Sequence, residues 1–379
     1  MINEERISSY YHDMIKINSV SGNEREIAEY ITARIEEMGL VAKWVYFEEE
    51  KKRPSVYTRL KGSSDGPSIM LIGHTDTVDI LPGWDTDPFT PTVIGDKTYG
   101  RGAMDMKGGL AAILGTIEYL AQNPSLFKGE IIAAFVADEE VLSKGTYKLL
   151  EEDLNMDMAI MAECRFDNVA IGFRGRYSIE INIFGEAAHS SEYPAYGDNA
   201  LINAGKLAIE IENLSTLVHP KLGKGTWCVK YIEGGIKNTL VVPNHCKLIL
   251  DRFFVEGENY DSIEKQIIDA AKKIGLQDKI KVKLVDREMP YMEPFCLPEN
   301  DKLVTILKEK YYQITGKDLP HEYDLSVCDS NILVNSANIS TVTFGPSGGN
   351  MHGANEYGYF DQVITSTKIY IETIKELLK

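Results

Sequence analysis

Helical spacing dominates the start of the chain. Within residues 3–16, Ile7, Tyr10, Tyr11, Met14 and Ile15 recur on one face, as do Ile27, Tyr30, Ile31, Ile35 and Met38 over 24–39. Ser21-Gly22-Asn23-Glu24 supplies the cap of the second helix. Strands are predicted near 41–47, 55–61 and 68–72, the last as the unbroken apolar run Ser68-Ile69-Met70-Leu71-Ile72 of a buried strand. The loop 81–89 holds Pro82, Gly83 and Pro88, which bar regular structure. Leu110, Ile113, Leu114, Ile117 and Leu120 then mark an amphipathic helix to about residue 122, and buried strands follow at 131–136 and 157–162. Strands alternating with helices predict a parallel α/β sheet.

The pattern changes after Gly172-Phe173-Arg174-Gly175. Residues 177–184 alternate strictly between apolar and polar, as in a half-exposed antiparallel strand. A helix near 198–213, strands near 226–232 and 245–254, a helix near 259–273 and a strand near 279–285 complete a strand-helix-strand-strand-helix-strand order, that of a ferredoxin-like α+β module. The α/β texture returns with a helix at 300–315, a strand at 339–344 and a terminal helix from about 361. The expectation is one catalytic domain, 1–173 with 286–379, interrupted by an inserted module at 174–285.

The length of 379 residues agrees with two domains, on a prior of roughly 100–200 residues each. No run of 18 or more apolar residues predicts a membrane span, and residues 1–16 lack the basic start and apolar centre of a signal peptide. A net charge of −17 at pH 7 argues against nucleic acid as a partner and for a cytoplasmic protein. Five scattered cysteines, with no CxxC pair, read as reduced thiols.

Polar groups gather where the sheet would present them. His74 and Asp76 follow the 68–72 strand, two residues apart, so an extended backbone would let the Asp76 carboxylate orient the His74 imidazole. Asp105 follows Gly100-Arg101-Gly102-Ala103, Glu139 and Glu140 follow the 131–136 strand, Glu163 follows the next, and His352 lies in Gly348-Gly349-Asn350-Met351-His352-Gly353. Two histidines with several carboxylates form the donor set of a borderline metal such as zinc, and more carboxylates than one ion needs point to two ions. Each residue alone has a plain structural alternative: a helix cap for Asp105, solvated charges for the glutamates, a surface histidine for His352. Their joint placement at strand ends favours the metal centre.

The stretches 73–79, Tyr99-Gly100-Arg101-Gly102-Ala103-Met104-Asp105-Met106-Lys107-Gly108-Gly109, Asp138-Glu139-Glu140 and Ala162-Glu163 resemble the dinuclear-zinc deacylase and exopeptidase family, which includes acetylornithine deacetylase, succinyl-diaminopimelate desuccinylase, aminoacylases and glutamate carboxypeptidase. The resemblance implies a zinc-exopeptidase-like catalytic domain carrying a lid and dimerisation domain. It implies that His74 and Glu163 hold one divalent ion, Glu140 and His352 the other, and that Asp105 bridges them. Zinc is the first choice of metal, with cobalt or manganese as substitutes. Glu139 would be the general base towards a bridging water, Asp76 the partner of His74, and the Asp105–Met106 peptide bond cis. In an extended chain, adjacent glutamates diverge, so one could ligate while the other faces the water.

Further implications fall on the inserted module. Gly185-Glu186-Ala187-Ala188-His189-Ser190-Ser191 resembles the family's lid motif, whose histidine reaches the other subunit's site in a homodimer. The strand 177–184 is expected at an edge, where it could pair with its copy. Asn238 and Arg252 resemble residues that grip the substrate carboxylate, although Arg252 has a structural alternative as an ion pair with a nearby acid. Gly348 and Gly349 are expected to let backbone approach the ligand. The implied substrate is an N-acyl amino acid with a free carboxylate; a dipeptidase or carboxypeptidase, or a non-catalytic metal-binding protein on the same scaffold, are the alternatives. Val327-Cys328-Asp329-Ser330 and the segment 351–356 depart from the family's usual pattern, and Cys164 reads as a small buried residue.

Overall fold

The computed structural model describes residues 1–48 and 53–379. The chain divides into two units, Met1–Gly172 with Leu297–Tyr323 and Cys328–Lys379, and Phe173–Cys296 with Asp324–Val327. Residues 286–296, expected in the catalytic part, cluster with the second unit. The Tyr291 hydroxyl lies 3.0 Å from the Ser178 carbonyl and 2.8 Å from that of Val285, and Tyr177 donates to Glu293 at 2.6 Å, which stitches the segment to the strand Gly175–Phe184.

The sheet of the first unit is mixed rather than parallel throughout. Glu130–Val136, Ser68–His74, Met158–Met161 and Ser340–Thr343 run parallel at its centre. Pro54–Lys61 and then Ala42–Tyr46 add to one side antiparallel, and Val169–Phe173 to the other. Ser68–His74 is buried at every position, which is why its sequence shows no alternation. One face packs Met70, Ile72, Ile132, Ala134, Ala159 and Met161 against Leu149 and Leu333. These last two come from the short helices Lys144–Leu149 and Asp329–Ala337. The helix Lys107–Ala121 packs between Glu4–Lys16 and Phe360–Leu377. Its first turn comes so close to the ends of the central strands that a Cβ on Gly109 would collide with the Ala162 carbonyl. A second, small sheet joins Thr92–Ile94, Lys97–Tyr99, Tyr357–Tyr359 and Gly348–Gly349.

In the second unit the order is Thr226–Gly234, His245–Phe254, Gly175–Phe184, Ile280–Leu284, all antiparallel, with the helices Ala200–Glu212 and Tyr260–Lys273 contributing to the core. The expected edge strand is therefore an interior one. Gly175–Phe184 has a neighbour on each side, and the exposed edge carrying Tyr231 and Ile232 belongs to Thr226–Gly234.

Candidate metal centre

Five segments of the first unit deliver side chains to one place. His74 is the last residue of its strand, in register with Val136, beyond which lie Glu139 and Glu140. Glu163 stands just past Met158–Met161. Asp105 precedes the helix Lys107–Ala121, and the Asp105–Met106 bond is cis. His352 arrives on the loop between the two short strands Gly348–Gly349 and Tyr357–Tyr359.

The two oxygens of Asp105 face in different directions. Oδ1 lies 3.1 Å from His74 Nε2, which is also 3.2 Å from Glu163 Oε1. Oδ2 lies 3.0 Å from His352 Nε2, which is 3.3 Å from Glu140 Oε1. One carboxylate thus separates two imidazole-carboxylate pairs. The His74 ring is also fixed in its tautomer: Nδ1 lies 2.8 Å from the Asp76 carbonyl, an acceptor alone, so Nδ1 carries the proton and Nε2 can offer a lone pair. Ligand atoms of His74, Asp105 and Glu140 fall within 4.8 Å of one another, as do those of His74, Glu139 and Glu163. Imidazole nitrogen and carboxylate oxygen at such spacing fit a zinc-like cation.

Charge is unevenly distributed here. Burial opposes ionisation of Asp105, but hydrogen bonds with His352 and His74 outweigh it and hold its carboxyl well below the usual range. Burial, and then the charges of Asp329, Glu163 and Glu140, push the Glu139 carboxyl well above its ordinary value against the pull of His74. Burial also raises Glu140. Hydrogen bonding to Asp105 and Glu140 pushes His352 up to about 10. A group of acids with too few cations is a site arranged for something positive.

Several expectations change in detail. The Asp76 carboxylate is 3.7 Å from His74 Nδ1, and it is the backbone carbonyl of Asp76 that holds the ring. The carboxylate instead accepts from the amides of Glu139 at 3.1 Å and Glu140 at 3.2 Å, and from Ser21 Oγ at 2.8 Å. Glu139 and Glu140 diverge in a turn rather than in extended chain: Asp138 has φ +73°, and its carbonyl accepts from Leu142 and Ser143. The Asp138 side chain is paired with Arg53 at 2.7 Å, which also binds Glu24. Gly348 and Gly349 admit Tyr357, whose carbonyl and ring a Cβ at these positions would strike.

The residues placed in the second unit are engaged there. Arg252 is fully buried, ion-paired with Glu258, and its guanidinium lies 4.7 Å over the Trp227 ring, so it is not presented for a carboxylate. Exposed His189 caps the turn Ser190–Glu192, with Nδ1 2.7 Å from Ser191 Oγ. Asn238 is exposed between two strands of the sheet.

Three residues at the centre went unassigned in the sequence. Arg101 and Glu356 form a buried ion pair at 2.6 Å beside Asp105. Asp329, buried against Thr146 and pushed up to about 7 by burial, adds to the field on Glu139. Arg101 lies inside the stretch Gly100-Arg101-Gly102 before Asp105, and Glu356 four residues beyond His352, so proximity to ligands was the available signal.

The sequence profile of peptidase family M20/M25/M40 matches residues 70–376. A succinyl-diaminopimelate desuccinylase of Nitrosomonas eutropha is 28% identical over 327 residues, 83% of this chain and 84% of that protein. A tripeptidase of Staphylococcus aureus superposes with a TM-score of 0.84 at 22% identity, covering 100% of this chain and 99% of that one. A dinuclear metal-binding peptidase of Bacillus subtilis superposes at 0.77 with 17% identity, over 99% and 98% of the two chains. At these identities the two structures speak for the fold.

Proposed function

We propose, from the premise that the chain belongs to peptidase family M20/M25/M40 and is a hydrolase of amide or peptide bonds, that it removes the acyl group from an N-acyl amino acid bearing a free carboxylate. The observation that carries the reading is Asp105, with one oxygen towards His74 and Glu163 and the other towards His352 and Glu140. On this reading His74 and Glu163 hold one divalent ion, Glu140 and His352 the second, and Asp105 both, with zinc the first candidate. The ions, when bound, supply Lewis acidity that polarises a carbonyl and brings a water's pKa towards neutrality.

The chain's own residues do the rest. Glu139, partly buried and close to His74 and Glu163, acts as a carboxylate that takes the proton of the attacking water and passes it to the leaving amine. Asp76 sets the direction of the Glu139–Glu140 turn through two backbone amides. His189 stabilises the oxyanion, from the partner copy of a cytoplasmic homodimer. Asn238 is the exposed candidate for the substrate's carboxylate, Arg252 being committed to Glu258. The desuccinylase relatives favour an acyl-amino-acid substrate over a peptide.

The test is a panel of N-succinyl, N-acetyl and N-formyl amino acids beside di- and tripeptides, assayed with zinc, cobalt and manganese. The expected result is the highest kcat/KM on an N-acyl amino acid. A peptide ahead by tenfold or more would replace this reading with that of a peptidase.

A further inference from the structure

We infer that the buried Arg101–Glu356 ion pair positions the metal centre, and that the ion on the Glu140–His352 side depends on it far more than the ion on the His74–Glu163 side. The inference rests on the two-ion reading above.

Glu356 is fully buried and serves as a hub for the loop that ends in Asp105. Its carboxylate accepts from the backbone amides of Gly102 at 3.0 Å, Met104 at 2.9 Å and Asp105 at 3.0 Å. Its fourth donor is Arg101 Nη1 at 2.6 Å. Arg101 in turn reaches the other loops: Nη2 donates to the carbonyls of Asp79 at 3.2 Å, His352 at 3.3 Å and Gly353 at 3.1 Å. Two side chains therefore link the backbone that carries the shared carboxylate to the backbone that carries His352.

The two sides of the centre differ in what else holds them. His74 ends a strand inside the sheet, is buried, and is fixed through Nδ1 by the Asp76 carbonyl. His352 sits on a loop in which Asn350, His352 and Asn355 all have left-handed backbone, at φ +59°, +61° and +57°, a region non-glycine residues seldom adopt. Its side chain is 49% exposed. The guanidinium bonds to the His352 and Gly353 carbonyls are an external hold on that loop. A lysine at 101 would keep a positive charge opposite Glu356. Its compact ammonium could not reproduce a planar fork spread over a carboxylate and three carbonyls.

The experiment titrates cobalt(II) into chelator-stripped full-length protein, following the visible absorption and the metal bound per chain. Wild type is expected to take two ions. Arg101→Lys is expected to bind the first with an affinity within about threefold of wild type and the second about 10–100-fold more weakly, the usual scale for a residue that orients a ligand. A purely structural role would shift the thermal midpoint without separating the two affinities. Equal weakening at both sites, or unchanged affinity at both, overturns the inference. Should Arg101→Lys not fold, Glu356→Gln carries the same expectation and the same overturning result. A wild-type protein that binds one ion would instead defeat the two-ion reading itself.

Discussion

In the first unit Asp105, Glu139, Glu140 and Glu163 crowd around two imidazoles, and the result is a mismatch: Asp105 is held low while Glu139 and Glu140 are driven high. In the second unit the buried charge of Arg252 is met by Glu258, backed by carbonyls and the Trp227 ring. Both are buried ionic groups, yet Arg252 has an acid of its own against it, while in the first unit four carboxylates share two imidazoles. A buried guanidinium with a carboxylate against it is an ordinary part of a core. Buried charges are usually paired or coordinate a metal, so an acid-rich cluster of this kind suits a cation. The contrast sets the acid-rich cluster of the first unit apart from Arg252, whose guanidinium is buried against Glu258.

The largest expected effect falls on the mismatched cluster. Glu139→Gln should retain both metals and lose turnover by about 10²–10⁴, the range for a positioned general base. Glu140→Gln should instead weaken one metal site. Parallel metal analysis and steady-state kinetics separate the two, and the opposite pairing of phenotypes would exchange the roles. A smaller loss, about 10²–10³, is expected for His189→Ala, the cost of one oxyanion donor, with metal content and oligomeric state unchanged. Mixed dimers of His189→Ala with Glu139→Gln sharpen this. One intact site per dimer, with activity near half of wild type, supports action across the subunits. Inactive mixed dimers leave His189 with the capping role seen at Ser190–Glu192.

Much of the sheet was legible because burial on both faces writes itself as an apolar run, as in Ser68–His74 and Glu130–Val136. Strands of two or three residues, such as Gly348–Gly349 and Tyr357–Tyr359, are too short to display a period, so the small sheet around His352 was not anticipated. Alternation along Gly175–Phe184 reported which face was buried and carried no information on how many neighbours the strand had; hence an interior strand was expected at an edge. Residue types and positions at strand ends and helix starts were enough to gather His74, Asp105, Glu139, Glu140, Glu163 and His352 as candidates. Which atom of Asp76 turns towards His74 depends on a backbone path that residue spacing does not encode, and so do the three carbonyls grasped by Arg101.

The central claim is that Asp105 is shared between two ions, and anomalous diffraction at the zinc edge from zinc-loaded crystals tests it most directly. The account predicts two peaks, one bound by Asp105 Oδ1 with His74 and Glu163, the other by Oδ2 with Glu140 and His352. A single peak, or two peaks of which Asp105 touches one, would contradict it.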